Sequence, residues 1–118
     1  MATIAGPGNL SSAQVNPSGD STNILQVAPV GGMRILRIAN TGGATPTVTI
    51  NFMGSINGTD YFNVPYMTVA APATQVVTAF VPTTTAVNHF YIPPSGYGYF
   101  KLVYSAPTNE TVTADLFY

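Results

Sequence analysis

The chain has 118 residues and carries three basic side chains against four acidic ones, so its net charge at neutral pH is −1. Charged residues make up 6% of the chain, whereas an ordinary globular domain has about 25%. Three scattered cations cannot neutralise a phosphate backbone, which excludes a nucleic-acid partner. The chain has no cysteine, which excludes disulfides and cysteine-ligated metal sites.

Enzyme and membrane functions are also disfavoured by the composition. Hydrolases, transferases and redox enzymes use clusters of titratable groups, and this chain has few of them to bring together. We therefore expect no enzyme activity, no catalytic residue, no cofactor and no metal. The unbroken apolar runs are only a few residues long, far below the roughly 20 residues of a membrane span, so we expect no membrane partner.

The fold class follows from the residue types and their spacing. Hydrophobic residues make up 46% of the chain, which is enough for the core of one domain. Eleven glycines and ten prolines are spread along it, and no stretch keeps the apolar period of a helix. Short β-branched and aromatic runs bounded by turn residues predict an all-β protein, a single antiparallel β-sandwich of about eight strands. Jelly-roll-like and immunoglobulin-like topologies both remain open.

The first 22 residues, MATIAGPGNLSSAQVNPSGDST, differ from the rest because Gly, Pro, Ser and Asn dominate them. We predict an extended N-terminal arm over residues 1–22 and a sandwich domain over residues 23–118. The arm is either a frayed terminus or a segment that orders on a neighbouring subunit. On the second interpretation the apolar residues Ile4, Leu10 and Val15 of the arm contact a partner.

The strand pattern begins after the arm, and alternation of apolar and polar residues marks the half-buried strands. An Asn57-Gly58 pair favours a type I′ hairpin turn. The predicted strands are 24–30, 33–40, 45–52, 61–64, 67–70, 74–81, 88–92, 97–104 and 110–118. The predicted inward-facing residues are Val48, Ile50, Phe52, Phe100, Leu102, Tyr104, Val112, Ala114 and Leu116.

Two polar residues are candidates for catalysis or metal binding, but the sequence favours a structural role for each. His89 is the single histidine, and no acidic residue lies near it along the chain, so we assign it to a strand edge rather than to catalysis. Asp60 follows the Asn-Gly turn and offers one carboxylate, whereas a strong calcium site gathers several. We therefore interpret Asp60 as a turn residue.

Four further residues are candidates for partner binding. Arg34 and Arg37 are three apart on one strand and so lie on opposite faces, and the inward one needs a carboxylate, which we expect from a neighbouring subunit. Tyr97 and Tyr99 share one face of a predicted strand. They are expected to pack at a subunit interface, with an exposed sugar-binding platform as the alternative.

Two segments carry a resemblance to a known family. Residues 52–62 read F-x-G-S-x-N-G-T-x-Y-F, and residues 102–106 read L-V-Y-S-A after an aromatic and a base. Over residues 45–118 the chain resembles small β-sandwich proteins of tailed-bacteriophage virions, which carry a G-S-x-D-G-T-x-W hairpin and an R-L-V-Y-T-A strand. Asn57, Tyr61 and Lys101 depart from that pattern. A similar hairpin occurs in discoidin-like carbohydrate-binding sandwiches.

The phage resemblance implies a structural virion protein. The resemblance implies a capsid decoration (cement) protein or a related head or tail accessory protein. The role we expect is capsid decoration, by a homotrimer on the capsid exterior that stabilises the shell formed by the major capsid protein. The alternative is a carbohydrate-binding module of a fibre or cell-surface protein, with a glycan as its partner.

Overall fold

A computed structural model describes residues 2–5, 8–27, 33–41, 47–68, 71–76, 78–81, 86–108 and 110–117. These residues contain strands and loops, and no helix in them is long and apolar enough to cross a membrane. The strands are β1 (Ala2–Ala5), β2 (Gly8–Val15), β3 (Gly19–Asp20), β4 (Asn23–Gln26), β5 (Arg34–Thr41), β6 (Thr49–Ser55), β7 (Phe62–Asn63), β8 (Tyr66–Thr68), β9 (Ala71–Val76), β10 (Ala86–Ile92), β11 (Tyr99–Ser105) and β12 (Thr111–Phe117).

The strands form two sheets packed as a sandwich. Sheet I has the order β1-β4-β11-β6-β7, with β3 also pairing with β11, and sheet II has the order β2-β12-β5-β10-β8-β9. The strand pairs are antiparallel except β1 with β4, which is parallel. The predicted all-β sandwich is confirmed.

The path of the chain is that of a jelly roll. The eight strands that define it are β2, β4, β5, β6, β7, β10, β11 and β12. Counted from one to eight along the chain, they lie in the order 1-8-3-6 in sheet II and 2-7-4-5 in sheet I. Two interlocked Greek keys produce this order, so the topology left open by the sequence is the jelly-roll one.

The core lies between the sheets and follows the alternation of the sequence. In β11 and β12 every second side chain is buried, because successive residues of a strand point to opposite faces. The rings of Phe52 and Phe100 stack across the strand pair β6–β11 with their centroids 5.3 Å apart. The predicted inward-facing residues are all buried: Val48, Ile50, Phe52, Phe100, Leu102, Tyr104, Val112, Ala114 and Leu116.

The N-terminal segment is not the extended arm that its composition predicts. β2 pairs with β12 at the edge of sheet II, and Leu10 is fully buried in the chain's own core. The Ser11 hydroxyl lies 2.7 Å from the Tyr104 hydroxyl. The composition does not predict β2 because β2 is an irregular edge strand. Its register with β12 shifts twice, and Ala13 has a positive φ of 48°.

The sandwich therefore includes the described residues of the 1–22 segment and does not begin at residue 23. The remaining strand predictions are right in position and differ at their ends, as when the strand predicted over 45–52 runs from Thr49 to Ser55. Parts of the predictions for 24–30, 45–52, 67–70, 74–81 and 110–118 lie outside the described residues.

Candidate interaction surfaces

In the part of the chain that the structure describes, the space between the two sheets is too small for a ligand. The cavity there, lined by side chains such as Phe52, Phe80 and Phe90, has a volume of about 10 Å³. That is about the room that one water molecule needs. Candidate sites therefore lie on the outer surfaces of the sandwich.

The outer face of sheet II carries exposed or half-buried apolar side chains aligned across three adjacent strands. Phe117 of β12 lies opposite Ile35 of β5, which lies opposite Tyr91 of β10. Phe117 is 47% exposed and Ile35 is 38% exposed. Met33 precedes Ile35 by two residues and is also exposed. We name Met33, Ile35, Tyr91 and Phe117 the apolar row.

A polar row runs beside the apolar row on the same face. Asp115 of β12 pairs with Arg37 of β5, which pairs with His89 of β10. The Asp115 carboxylate accepts a hydrogen bond of 2.8 Å from the Asn9 amide and lies 3.8 Å from the Arg37 guanidinium. One cation next to one anion leaves this part of the face electrically balanced.

Arg34 lies on the opposite face of β5 from Arg37, as predicted, and points into the sandwich. Its guanidinium sits 5.4 Å from the centre of the Phe100 ring, an arrangement in which the ring face attracts the cation. Because Arg34 is buried inside its own chain, it cannot reach a carboxylate of a neighbouring subunit. The expectation that Arg34 binds a partner is therefore wrong.

Tyr97 and Tyr99 do not share a face. Tyr97 packs edge-on against the Phe100 ring in the core, with the ring centroids 6.5 Å apart. Tyr99 lies on the outer face of sheet I, where a Cβ atom added at Gly58 would come within 3.4 Å of its ring. The two faces differ because β11 begins only at Tyr99, while Gly98 bonds to the backbone of Val27. The shared tyrosine face that the sequence predicts is therefore not formed.

The other predicted partner-binding residues are separated from one another. Leu10 is buried, and Val15 is exposed at the end of β2. Ile4 lies on β1 opposite Leu25, and its side chain is outside the described residues. The structure does not bring the predicted set together on one surface. Of that set, Arg37 lies on the face that carries the apolar row, and Val15 is exposed at the edge of the same sheet, opposite Thr111.

The loop that connects β6 to β7 is a second exposed surface, and we name residues 55–62 the 55–62 loop. Ile56 and Phe62 are exposed by 76% and 60%. Together with Asn57 and Asp60 they line an open groove of about 380 Å³. Only Gly58 of the central pair has a positive φ, so the turn is not the type I′ hairpin that Asn57-Gly58 predicts.

The 55–62 loop is held by hydrogen bonds from its own residues. The Asn57 side-chain oxygen accepts bonds from the backbone N–H groups of Thr59 and Asp60, at 2.8 and 2.9 Å. The Asn57 amide donates a bond of 2.9 Å to the Asp60 carboxylate. The Ser55 hydroxyl accepts a bond from the N–H of Gly58. Asp60 therefore serves the turn, as predicted.

On the outer face of sheet I, the Lys101 ammonium interacts with a carboxylate and with an aromatic ring. The Lys101 ammonium lies 3.1 Å from the Asp20 carboxylate and 4.2 Å from the centre of the Tyr61 ring. Burial raises the pKa of Tyr61, and the nearby Asp20 and Tyr99 raise it further. All three basic side chains of this protein are therefore engaged with groups of their own chain: Arg34, Arg37 and Lys101.

The buried carboxylate of Glu110 holds the backbone just before the start of β6. The Glu110 side chain is almost fully buried and accepts hydrogen bonds from the backbone N–H groups of Val48 and Thr47, the former at 3.1 Å. Within the described residues, no three His, Asp or Glu side chains come together as metal ligands.

The sequence does not identify the apolar row, and it marks the 55–62 loop as a turn and not as an exposed apolar surface. Alternation in β12 places Phe117 on the outer face with Asp115, so the signal was present in the residues. What the sequence lacks is the strand order, because Phe117, Ile35 and Tyr91 become neighbours only when β12, β5 and β10 lie side by side.

The fold and surfaces together define a jelly-roll sandwich with exposed apolar groups on one sheet face and one loop. No protein-family model matches the chain, and no curated protein matches it. Among solved structures the chain is similar to the SPBc2 prophage-derived protein YomS, with a TM-score of 0.65 and 13% sequence identity. The match covers 93% of this chain and 88% of that one, and it shows a shared fold.

Proposed function

We propose that this chain is a structural protein of a bacteriophage particle and that it assembles through the outer face of sheet II. The observation that carries the proposal is the apolar row, since aligned exposed apolar side chains on a sheet face mark interaction sites. The fold shared with a prophage-derived protein and the resemblance of residues 45–118 to phage virion proteins support the particle as the setting.

The expected partner at the apolar row is a second copy of this chain. The adjacent polar row holds one cation and one anion, so another copy meets no net charge there. Apolar side chains at the centre of an interface contribute most when they exclude water, and Phe117 with Ile35 offers such a centre. In a homotrimer each copy contributes two different patches, and the outer face of sheet II is one of them.

The particular role we propose is capsid decoration. A homotrimer on the capsid exterior that contacts neighbouring copies of the major capsid protein adds buried surface at the junctions between them. That surface stabilises the shell mechanically and needs no chemical step. The strength of such binding depends on the quality of the contacts rather than on their area.

Particles that lack this chain provide the direct test. Purified protein is mixed with phage particles prepared without its gene, and the bound fraction is measured after sedimentation. We expect the wild-type chain to sediment with the particles and the Ile35→Thr/Phe117→Thr variant to bind at least about tenfold more weakly, equivalent to about 1.4 kcal/mol. Wild-type protein that stays in the supernatant at every concentration contradicts the proposal.

A further inference from the structure

The 55–62 loop presents two large apolar side chains that do not pack into the core. Ile56 and Phe62 are more exposed than the residues of the apolar row, and they flank the open groove of about 380 Å³. Pockets that bind ligands have volumes of about 300 to 1,000 Å³, so the groove has room for a side chain of a partner. The groove also lies on a different part of the fold from the apolar row.

The loop is already ordered for binding. Its hydrogen bonds from Ser55 and Asn57 fix the backbone between the two apolar residues. A surface whose conformation is fixed before binding loses little entropy on association. Exposed apolar side chains on such a loop favour a docking role over a solvated turn.

The polar groups of the groove disfavour a sugar as its occupant. Carbohydrate sites use amide groups to bond sugar hydroxyls, but both polar atoms of the Asn57 side chain are bonded within the loop. What the groove offers is an aliphatic side chain, an aromatic ring and one carboxylate, from Ile56, Phe62 and Asp60. This combination suits an apolar side chain accompanied by a cation.

The cation does not come from a second copy of this chain. Lys101 is paired with Asp20 and Arg37 with Asp115, while Arg34 is buried over Phe100. In a second copy, the lysine and both arginines are therefore already engaged with groups of their own chain. The carboxylate of Asp60 points to a different protein as the source of the positive charge.

We propose that the 55–62 loop is a docking site for a segment of another protein that presents an apolar side chain beside a lysine or arginine. Ile56 and Phe62 contact the apolar side chain, and Asp60 pairs with the cation. The inference rests on the geometry and charge of the loop alone, so it holds whether or not the chain belongs to a phage particle.

The test is an NMR titration of the isolated protein with short peptides. The probe is acetyl-Ala-Arg-Leu-Arg-Ala-amide, and its matched control replaces both arginines with glutamate. We expect shift changes confined to the backbone amides of residues 55–62, with the acidic peptide binding at least about fivefold more weakly. Asp60→Asn should weaken binding of the basic peptide about two- to fivefold, the contribution of one exposed ion pair.

Two variants make the titration decisive. Ile56→Thr/Phe62→Thr should abolish the shift changes and leave the rest of the spectrum unchanged, because both side chains are exposed. Ile35→Thr/Phe117→Thr removes the same two residue types from the apolar row and should bind the peptide as the wild type does. A row variant that still assembles as the wild type does counts against the proposed function and leaves the loop proposal standing.

Three outcomes overturn the proposal. The first is the absence of any shift change with the basic peptide at millimolar concentration. The second is an equal response to the acidic peptide, which removes the role of Asp60. The third is a response of the same amides to maltohexaose or an N-acetylglucosamine oligomer without a response to peptide, which assigns the groove to a glycan.

Discussion

The hydroxyl of Ser11, near the start of the chain, lies 2.7 Å from the hydroxyl of Tyr104 in β11, and both groups are buried. This contact crosses the sandwich from sheet II to sheet I and joins residues 93 positions apart. It makes the N-terminal segment part of the folded core, since Leu10 beside Ser11 is also fully buried.

Deletion of residues 1–22 should therefore prevent folding. The truncated chain loses β2, exposes the edge of β12, and uncovers the space that Leu10 fills. Loss of one buried leucine side chain alone costs about 2 to 5 kcal/mol, a large part of the stability of a typical domain. Thermal unfolding followed by circular dichroism should show no cooperative transition.

The control for the deletion is Val15→Ser, which changes an exposed residue of the same segment and should alter the free energy of unfolding by no more than about 0.5 kcal/mol. A truncated protein that unfolds cooperatively near the wild-type temperature would show that the segment is dispensable.

Alkaline pH should destabilise the protein through Tyr104. Burial raises the pKa of its hydroxyl well above the ordinary value of about 10, and the hydrogen bond with Ser11 lowers it by a smaller amount. Between the unfolded and folded pKa values the native state binds more protons than the unfolded state. The stability is therefore complete below about pH 10 and falls as the pH rises above it.

Urea unfolding of the wild type and of Tyr104→Phe measures this effect. At about pH 8 the variant should be less stable by about 0.5 to 1.5 kcal/mol, the net contribution of one hydrogen bond. At about pH 11 the difference should shrink or reverse, because the variant has no buried hydroxyl to ionise on unfolding. A constant difference between the two pH values would contradict the assignment of the alkaline loss to Tyr104.

Gly54 should not tolerate a side chain. A Cβ atom at this position would lie 2.7 Å from a methyl carbon of Val64 and 2.9 Å from the ring of Tyr97, both closer than van der Waals contact. Gly54→Ala should therefore lower the free energy of unfolding by about 1 to 3 kcal/mol. Chemical denaturation checks this.

Gly96 provides the matched control for Gly54, because a Cβ atom there meets nothing within 4 Å. Gly96→Ala should leave the free energy of unfolding unchanged or raise it by up to about 1 kcal/mol, because alanine lowers the conformational entropy of the unfolded chain. Equal effects of the two substitutions would count against the tight packing of β6 on Tyr97.

Glu110 should contribute to stability through its carboxylate. Both oxygens accept hydrogen bonds from the backbone N–H of Val48, and one also accepts from Thr47. Glu110→Gln replaces one acceptor oxygen with a donor and should cost about 1 to 3 kcal/mol, because a buried N–H then lacks a partner. Asp115→Asn, at a partly exposed position, should cost less than about 1 kcal/mol. A loss at Glu110 no larger than at Asp115 would refute its anchoring role.

The sequence predicts the fold where alternation is regular and fails where it is not. β11 and β12 alternate cleanly, and their inward residues Phe100 and Leu116 are buried as predicted. β2 does not alternate, because its positive-φ residue Ala13 shifts the register, so the sequence does not predict its place in the sheet. Local periodicity carries no information about such bulges.

The candidate surfaces were less predictable than the fold. The sequence correctly predicts that Arg34 and Arg37 lie on opposite faces of one strand. It wrongly predicts one shared face for Tyr97 and Tyr99, because it does not show that β11 begins only at Tyr99. The apolar row depends on the neighbours of β5, which the order of strands along the chain does not reveal. Interaction surfaces of a jelly roll are assembled from distant segments, and this limits what one sequence shows.

The central claim is that the chain assembles through the apolar row, and the solution mass tests it most directly. Light scattering over a range of concentrations should give three times the chain mass of 12.3 kDa for the wild type and a single chain mass for Ile35→Thr/Phe117→Thr. Ile56→Thr/Phe62→Thr should keep the wild-type mass. A wild-type chain that stays monomeric at every concentration, or a row variant that assembles as the wild type does, would contradict the account.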